Sequence, residues 1–237
     1  MKTHARLKVG GDFACFSRPE FKVERVSYPI MTPSAARGVL EAIFWKPEFR
    51  WEVREIWVLA HGGEFVLLRN EISERQARTP IIVEDRRQQR ASLLLKQVEY
   101  LIYANLRLAS HANAPLPKYL SQFERRLDRG QCHHTPYLGT REFAAWFQPV
   151  NGTETPQPWD QDFGTMLFDL AFREDAHRQE LTFHRHGPQG ERRVRVASGY
   201  AEALFFSARL EQGILQVPPE KYLELYQKEG FHAQGIT

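Results

Sequence analysis

The sequence predicts an α+β protein in two parts, a mixed unit over residues 1–148 and a smaller antiparallel β-sheet unit over residues 149–237. Three observations carry this prediction. Strand-like and helical periods alternate through the first part. A Pro-rich polar stretch, QPVNGTETPQPWDQD, then interrupts the pattern. Beyond it, up to Lys221, only short alternating runs separated by turn residues follow.

Each element has its own local signal. Residues 3–9 alternate as a strand should and run into Gly10-Gly11. Thr32 before Pro33 is a hydroxyl N-cap followed by a proline in the first helical turn. SAARGVLEAIFW continues that helix, with Ala35, Ala36 and Gly38 small enough for close packing, and Pro47 is expected to end it. Trp51, Val53 and Trp57 then fall on alternating positions of a strand reaching Leu59, and both tryptophans read as core residues. His61-Gly62-Gly63 is a turn, and EFVLLRN a further strand. Residues 71–90 are polar and charged, a loop, whereas SLLLKQVEYLIYANLRL is one long strand-like run. The next helix spans Leu116 to Arg129, with Pro117 near its start and Gly130 after its end. YLGTREFAAWF reads as another strand. The order β-α-β-β-α-β is the split βαβ arrangement of ferredoxin-like domains, the RNA recognition motif (RRM-like fold) among them. FGTMLFDLAF, LTFHRH, RRVRVASGY and ALFFSARL supply the appended sheet.

Composition excludes several classes. No run approaches the ~18 apolar residues of a membrane span, and MKTHARLKVGGDF has no apolar signal-peptide core. A cytoplasmic protein without membrane partners is expected. Cys15 and Cys132 form no spaced ligand pattern. There is no Gly-rich phosphate loop ending in Lys-Ser/Thr, no nucleophile elbow and no HExxH. His133 and His134 are adjacent and do not aim at one metal, so neither a metal site nor another cofactor is expected. His184 and His186 precede the turn GPQG and read as a hairpin-tip surface.

The distribution of charge is more telling. Of the 32 basic residues 24 are arginine, the side chain whose planar fork matches phosphate oxygens and stacks on flat rings. Residues 118–141 hold Lys118, Arg125, Arg126, Arg129 and Arg141 against Glu124 and Asp128, an excess that equals the net charge of +3 of the whole chain. On the second helix Leu120, Phe123 and Leu127 form the apolar stripe, and Lys118, Gln122, Arg125 and Arg129 form a separate polar one. RGQCHHTPYLGTREF then adds His133, His134, Tyr137 and Arg141, the elements of a phosphate and base pocket. In EAIFWKPEFRWEV, Phe44, Trp45 and Lys46 sit at a helix end beside a proline. Single-stranded RNA presents both surfaces that such a mixture serves, bases for the aromatic faces and a backbone for the cations.

GDFACFSRPEFKVERVSYPIMTPSAARGVLEAIFWKPEFRW, LRNEI, RQQRASLLL and RGQCHHTPYLGTREF together resemble the CRISPR-associated family-five protein of subtype I-C, in register from about residue 6 to 147. The resemblance implies a ferredoxin-like domain with a C-terminal β domain. It implies cleavage of CRISPR repeat RNA without metal, the 2′-hydroxyl attacking the adjacent phosphate to leave a 2′,3′-cyclic phosphate and a 5′-hydroxyl. It further implies retention of the 5′ handle of the guide within a surveillance complex, beside backbone and large subunits, with double-stranded DNA a further contact there. Such chemistry needs a base, an acid and a cation for the developing charge. The family's catalytic tyrosine falls where this chain has Phe44, and its Lys-His pair where this chain has Lys118-Tyr119. A phenylalanine moves no proton, and a tyrosine of ordinary pKa ~10 is a poor base near neutrality. Two readings therefore stand: a processing endoribonuclease that uses Lys118, Tyr119, His133 or His134, and a subunit that only holds a processed guide.

Overall fold

The computed structural model describes residues 4–21, 23–74, 79–186 and 194–234. The strands are β1 (His4–Ala14), β2 (Arg25–Val26), β3 (Phe49–His61), β4 (Glu64–Ile72), β5 (Arg87–Leu108), β6 (Trp146–Gln148), β7 (Gln161–Glu174), β8 (Leu181–His186), β9 (Val194–Glu211) and β10 (Ile214–Gln216). The helices are α1 (Pro33–Ile43), α2 (Leu116–Asp128) and α3 (Glu220–Glu229).

One sheet runs β6-β1-β5-β3-β10-β9-β7, and neighbouring strands on this path are antiparallel. Its first four members are the strands of the β-α-β-β-α-β order, in the 4-1-3-2 arrangement of a ferredoxin-like sheet. β1 and β3 are parallel to each other with β5 between them, which is the split βαβ unit. Three-residue β10 pairs with both β3 and β9 and carries the sheet into the C-terminal strands.

α1 begins as its cap predicts: Thr32 Oγ1 accepts from the Ala35 N–H at 3.3 Å. Ala36, Val39, Leu40 and Ile43 bury one face. The helix stops at Ile43, short of Pro47, because Phe44 leaves helical geometry while its N–H still reaches Leu40 O at 2.9 Å. α2 buries Tyr119, Leu120, Phe123 and Leu127. The core between helices and sheet is aromatic: Trp51 meets Phe49 at 5.6 Å and Phe123 at 4.9 Å, both edge-on. Trp57 is only half-buried and bonds Glu55 at 2.7 Å. Across the sheet, Arg37 of α1 grips the buried Asp169 of β7 with two hydrogen bonds, 2.7 and 2.8 Å.

Four local expectations are corrected. β1 passes straight through Gly10-Gly11 to Ala14. His61-Gly62-Gly63 does not reverse the chain, because β3 and β4 pair with successive stretches of the same strand, β5. Within 71–90, Glu71–Ile72 and Arg87–Arg90 belong to the β4–β5 arm; none of these residues is buried and all but Ile72 are polar, so no apolar period marks them. Most of YLGTREFAAWF is a turn, with Tyr137 bridged to Ala144 and regular strand only from Trp146. Gly139 dictates this. It has φ +85°, and a Cβ there would lie 1.9 Å from Cys15 O.

Candidate nucleic-acid interface

The C-terminal carbonyls of a helix lack intrahelical donors, and those of α1 organise the site. Ala42 O accepts the His133 N–H at 2.7 Å, and Ile43 O accepts Arg126 Nη1 at 2.7 Å. The histidine loop and the second half of α2 are thereby fastened to the end of α1. Arg126, counted in the sequence only as charge, also lies over the Phe44 ring at 5.2 Å. Its position on α2 facing α1 could not be read without the helix–helix packing.

Phe44 is 1% exposed, with its ring 5.2 Å from Phe49. Phe49 in turn meets the Tyr119 ring edge-on at 5.4 Å, and Tyr119 is 2% exposed. Burial pushes the Tyr119 hydroxyl pKa up, and the nearby Glu48 charge pushes it further. The two aromatic positions that the resemblance marks are therefore enclosed and joined through Phe49. The cations beside them are accessible. Lys46 lies over the Tyr119 ring at 5.6 Å, and Lys118, the preceding residue on α2, is exposed.

From Lys118 the exposed face of α2 continues through Arg125 and Arg129 to exposed His133 and His134. His134 meets His133 edge-on at 6.0 Å and lies near-parallel to the half-buried Tyr137 ring at 6.3 Å. Exposed Arg141 stands in the turn beyond Gly139. Trp45 points elsewhere, its ring 5.1 Å from His186 of β8. His184 is exposed on the same strand, and the GPQG turn lies outside the described residues. No cluster of three or more His, Cys, Asp or Glu able to hold a metal ion occurs among the described residues.

A ferredoxin-like sheet with a cationic helix face and a stacked histidine–tyrosine loop has the build of an RNA-binding class of protein. The chain belongs to the CRISPR-associated protein (Cas_Cas5) family, whose Cas5d model matches residues 6–218. It is 61% identical over 230 residues to the CRISPR pre-crRNA endoribonuclease Cas5d of Thermus thermophilus, covering 97% of this chain and 98% of that one. It is 35% identical over 243 residues to the protein of the same name from Mannheimia succiniciproducens, covering 92% and 96%. The fold is shared with a crystal structure of a CRISPR-associated protein at a TM-score of 0.61, 18% identity and coverage of 92% and 93%. No helix among the described residues is long and apolar enough to cross a membrane.

Proposed function

We propose that the protein is a cytoplasmic endoribonuclease that cuts CRISPR repeat RNA and keeps the 5′ handle of the guide within a surveillance complex. The observation that carries this reading is the near full-length identity to a pre-crRNA endoribonuclease. The exposed ridge Lys118–Arg125–Arg129–His133–His134 supports it, being suited to an RNA backbone.

In this reading the 2′-hydroxyl attacks the adjacent phosphate, and negative charge builds on the phosphorane oxygens. The Lys118 ammonium stabilises that charge, with Lys46 beside it over Tyr119. Phe44 and Tyr119 shape the floor beneath the cations. Proton transfer falls to the imidazoles of His133 and His134, which are exposed at the end of the ridge. Trp45, Tyr137 and Arg141 bind RNA at the margins of the ridge. Metal takes no part in this scheme.

The test is to incubate purified protein with the repeat RNA of its own locus in EDTA. The expected product carries a 2′,3′-cyclic phosphate. Activity lost in EDTA and restored by magnesium would overturn the mechanism. A stable complex without product would leave a guide-binding subunit instead.

A further inference from the structure

Trp45 links the interface to a separate cleft of about 300 Å³. The walls come from four places: the α1–β3 connection with Trp45, the turn after β5 with His111, strand β8 with His184 and His186, and the segment after α3 with Phe231. Gly230, at φ +66°, turns the chain back after α3, and the Phe231 N–H closes the turn on Tyr226 O at 2.9 Å. Backbone bonds from Ser110 N to His232 O (2.8 Å) and from Gln234 N to Leu108 O (2.9 Å) fasten this segment to the end of β5. These backbone hydrogen bonds fix one wall of the cleft.

Its chemistry is selective. Each of its three arginines has a carboxylate within 4 Å, although Arg50 Nε and Arg185 Nε are buried without a hydrogen-bond partner among the described residues. Arg37 holds Asp169 and Glu41, Arg50 approaches Glu229 at 3.7 Å, and Arg185 approaches Glu174 at 3.3 Å. Their positive charge is offset by these carboxylates, which disfavours a phosphate here. Flat surfaces and polar ring edges remain. Trp45 and His186 meet at 5.1 Å, and the Arg50 guanidinium covers the Phe231 ring at 5.3 Å. His111 Nε2 is buried with no hydrogen-bond partner among the described residues, an arrangement that costs free energy unless something pairs with it. The histidines do not converge as a metal-ligand set among the described residues. A flat heteroaromatic ring with donors and acceptors on its edge answers all of these features. The volume lies at the small end of ligand sites, room for one base and not for a duplex.

We propose that this cleft is a nucleobase pocket that takes one unpaired base of the RNA whose backbone crosses Lys46 and Lys118. It rests on the endoribonuclease reading for the identity of that RNA. Stacking on Trp45 and Phe231 holds the base, and His111 reads its edge.

The test uses the full chain and repeat RNAs in which each unpaired nucleotide is replaced in turn by an abasic one, with binding followed by fluorescence anisotropy. One abasic position is expected to weaken wild-type binding roughly 10–100-fold, the range for loss of one base–aromatic stack. Trp45→Ala and Phe231→Ala should weaken intact RNA by a similar factor yet leave that one abasic RNA unaffected. His111→Gln, the milder change, should alter the preference among the four bases at that position only. Penalties that simply add at every position, in variants that melt like wild type, would overturn the pocket. Should wild type bind the RNA but leave it uncut, the endoribonuclease reading fails while the same coupling still decides the pocket.

Discussion

Replacing Lys118 by alanine separates transition-state stabilisation from RNA binding. Lys118 is exposed on α2, and its ammonium has no ion-pair or hydrogen-bond partner among the described residues. Its loss therefore opens no cavity and strands no buried charge, and the melting temperature should stay within about 1 °C of wild type. If the ammonium faces the phosphorane, the single-turnover rate should fall by roughly 10²–10⁴-fold, the range for a positioned catalytic group. That corresponds to about 2.7–5.4 kcal/mol of barrier. Affinity should fall less than about tenfold, since Arg125 and Arg129 still face solvent on the same helix. The slope of log K against log salt should drop by about 0.7, one phosphate's worth on a single strand. Lys118→Arg sharpens the test, because a guanidinium keeps the charge but does not deprotonate. Rescue by arginine to within about tenfold marks charge stabilisation, whereas failure marks proton transfer. Single-turnover cleavage at saturating protein and filter binding at two salt concentrations supply the numbers. A rate that falls by no more than the affinity would refute the assignment and move the search to His133 and His134.

Three further outcomes are expected. Phe44→Tyr should lower the melting temperature, because it adds a hydroxyl to a ring that is 1% exposed; a raised single-turnover rate would show that position 44, and not His133 or His134 alone, can exchange the proton. Cys132 is exposed and Cys15 fully buried, with burial raising the Cys15 thiol pKa. One thiol should thus label fast in the native protein, and repeat RNA should slow that labelling if the 131–137 loop touches RNA; unprotected Cys132 would count against the loop. Arg37→Ala should cost about 3–5 kcal/mol in urea unfolding by stranding buried Asp169, with Arg37→Met plus Asp169→Leu recovering most of it; a single-variant loss below about 1 kcal/mol would refute the role of the pair.

Much of the fold is legible because its signals are local. Thr32-Pro33 writes the start of α1, and the 3.6-residue period of Leu120, Phe123 and Leu127 writes the buried face of α2. Only the outer end of the β4–β5 arm is not legible, since Glu71 and Arg87–Arg90 are polar, Ile72 is exposed, and none of these residues is buried against a core. The reading of YLGTREF as a strand fails on a tertiary fact, the approach of Cys15 O to Gly139. Around the site, the exposure of Lys118, Arg125 and Arg129 follows from helical spacing alone. The enclosure of Phe44 does not, because it depends on the ring turning toward Phe49 as the helix ends. The meeting of Trp45 with His186 depends on sheet topology, so the cleft has no trace in any local pattern.

The placement of β10 has a consequence for synthesis. β3 completes its outer edge only when Ile214 arrives opposite Trp57, about 160 residues later in the chain. At translation rates of roughly 5–20 residues per second, that edge stays unpaired for about 8–30 s on the ribosome. During this interval its free N–H and C=O groups can template pairing between neighbouring nascent chains. A fragment that ends at the Pro-rich stretch keeps this hazard permanently. Expression of the first 150 residues alone should therefore give self-associated material, even though the ferredoxin-like strands are all present.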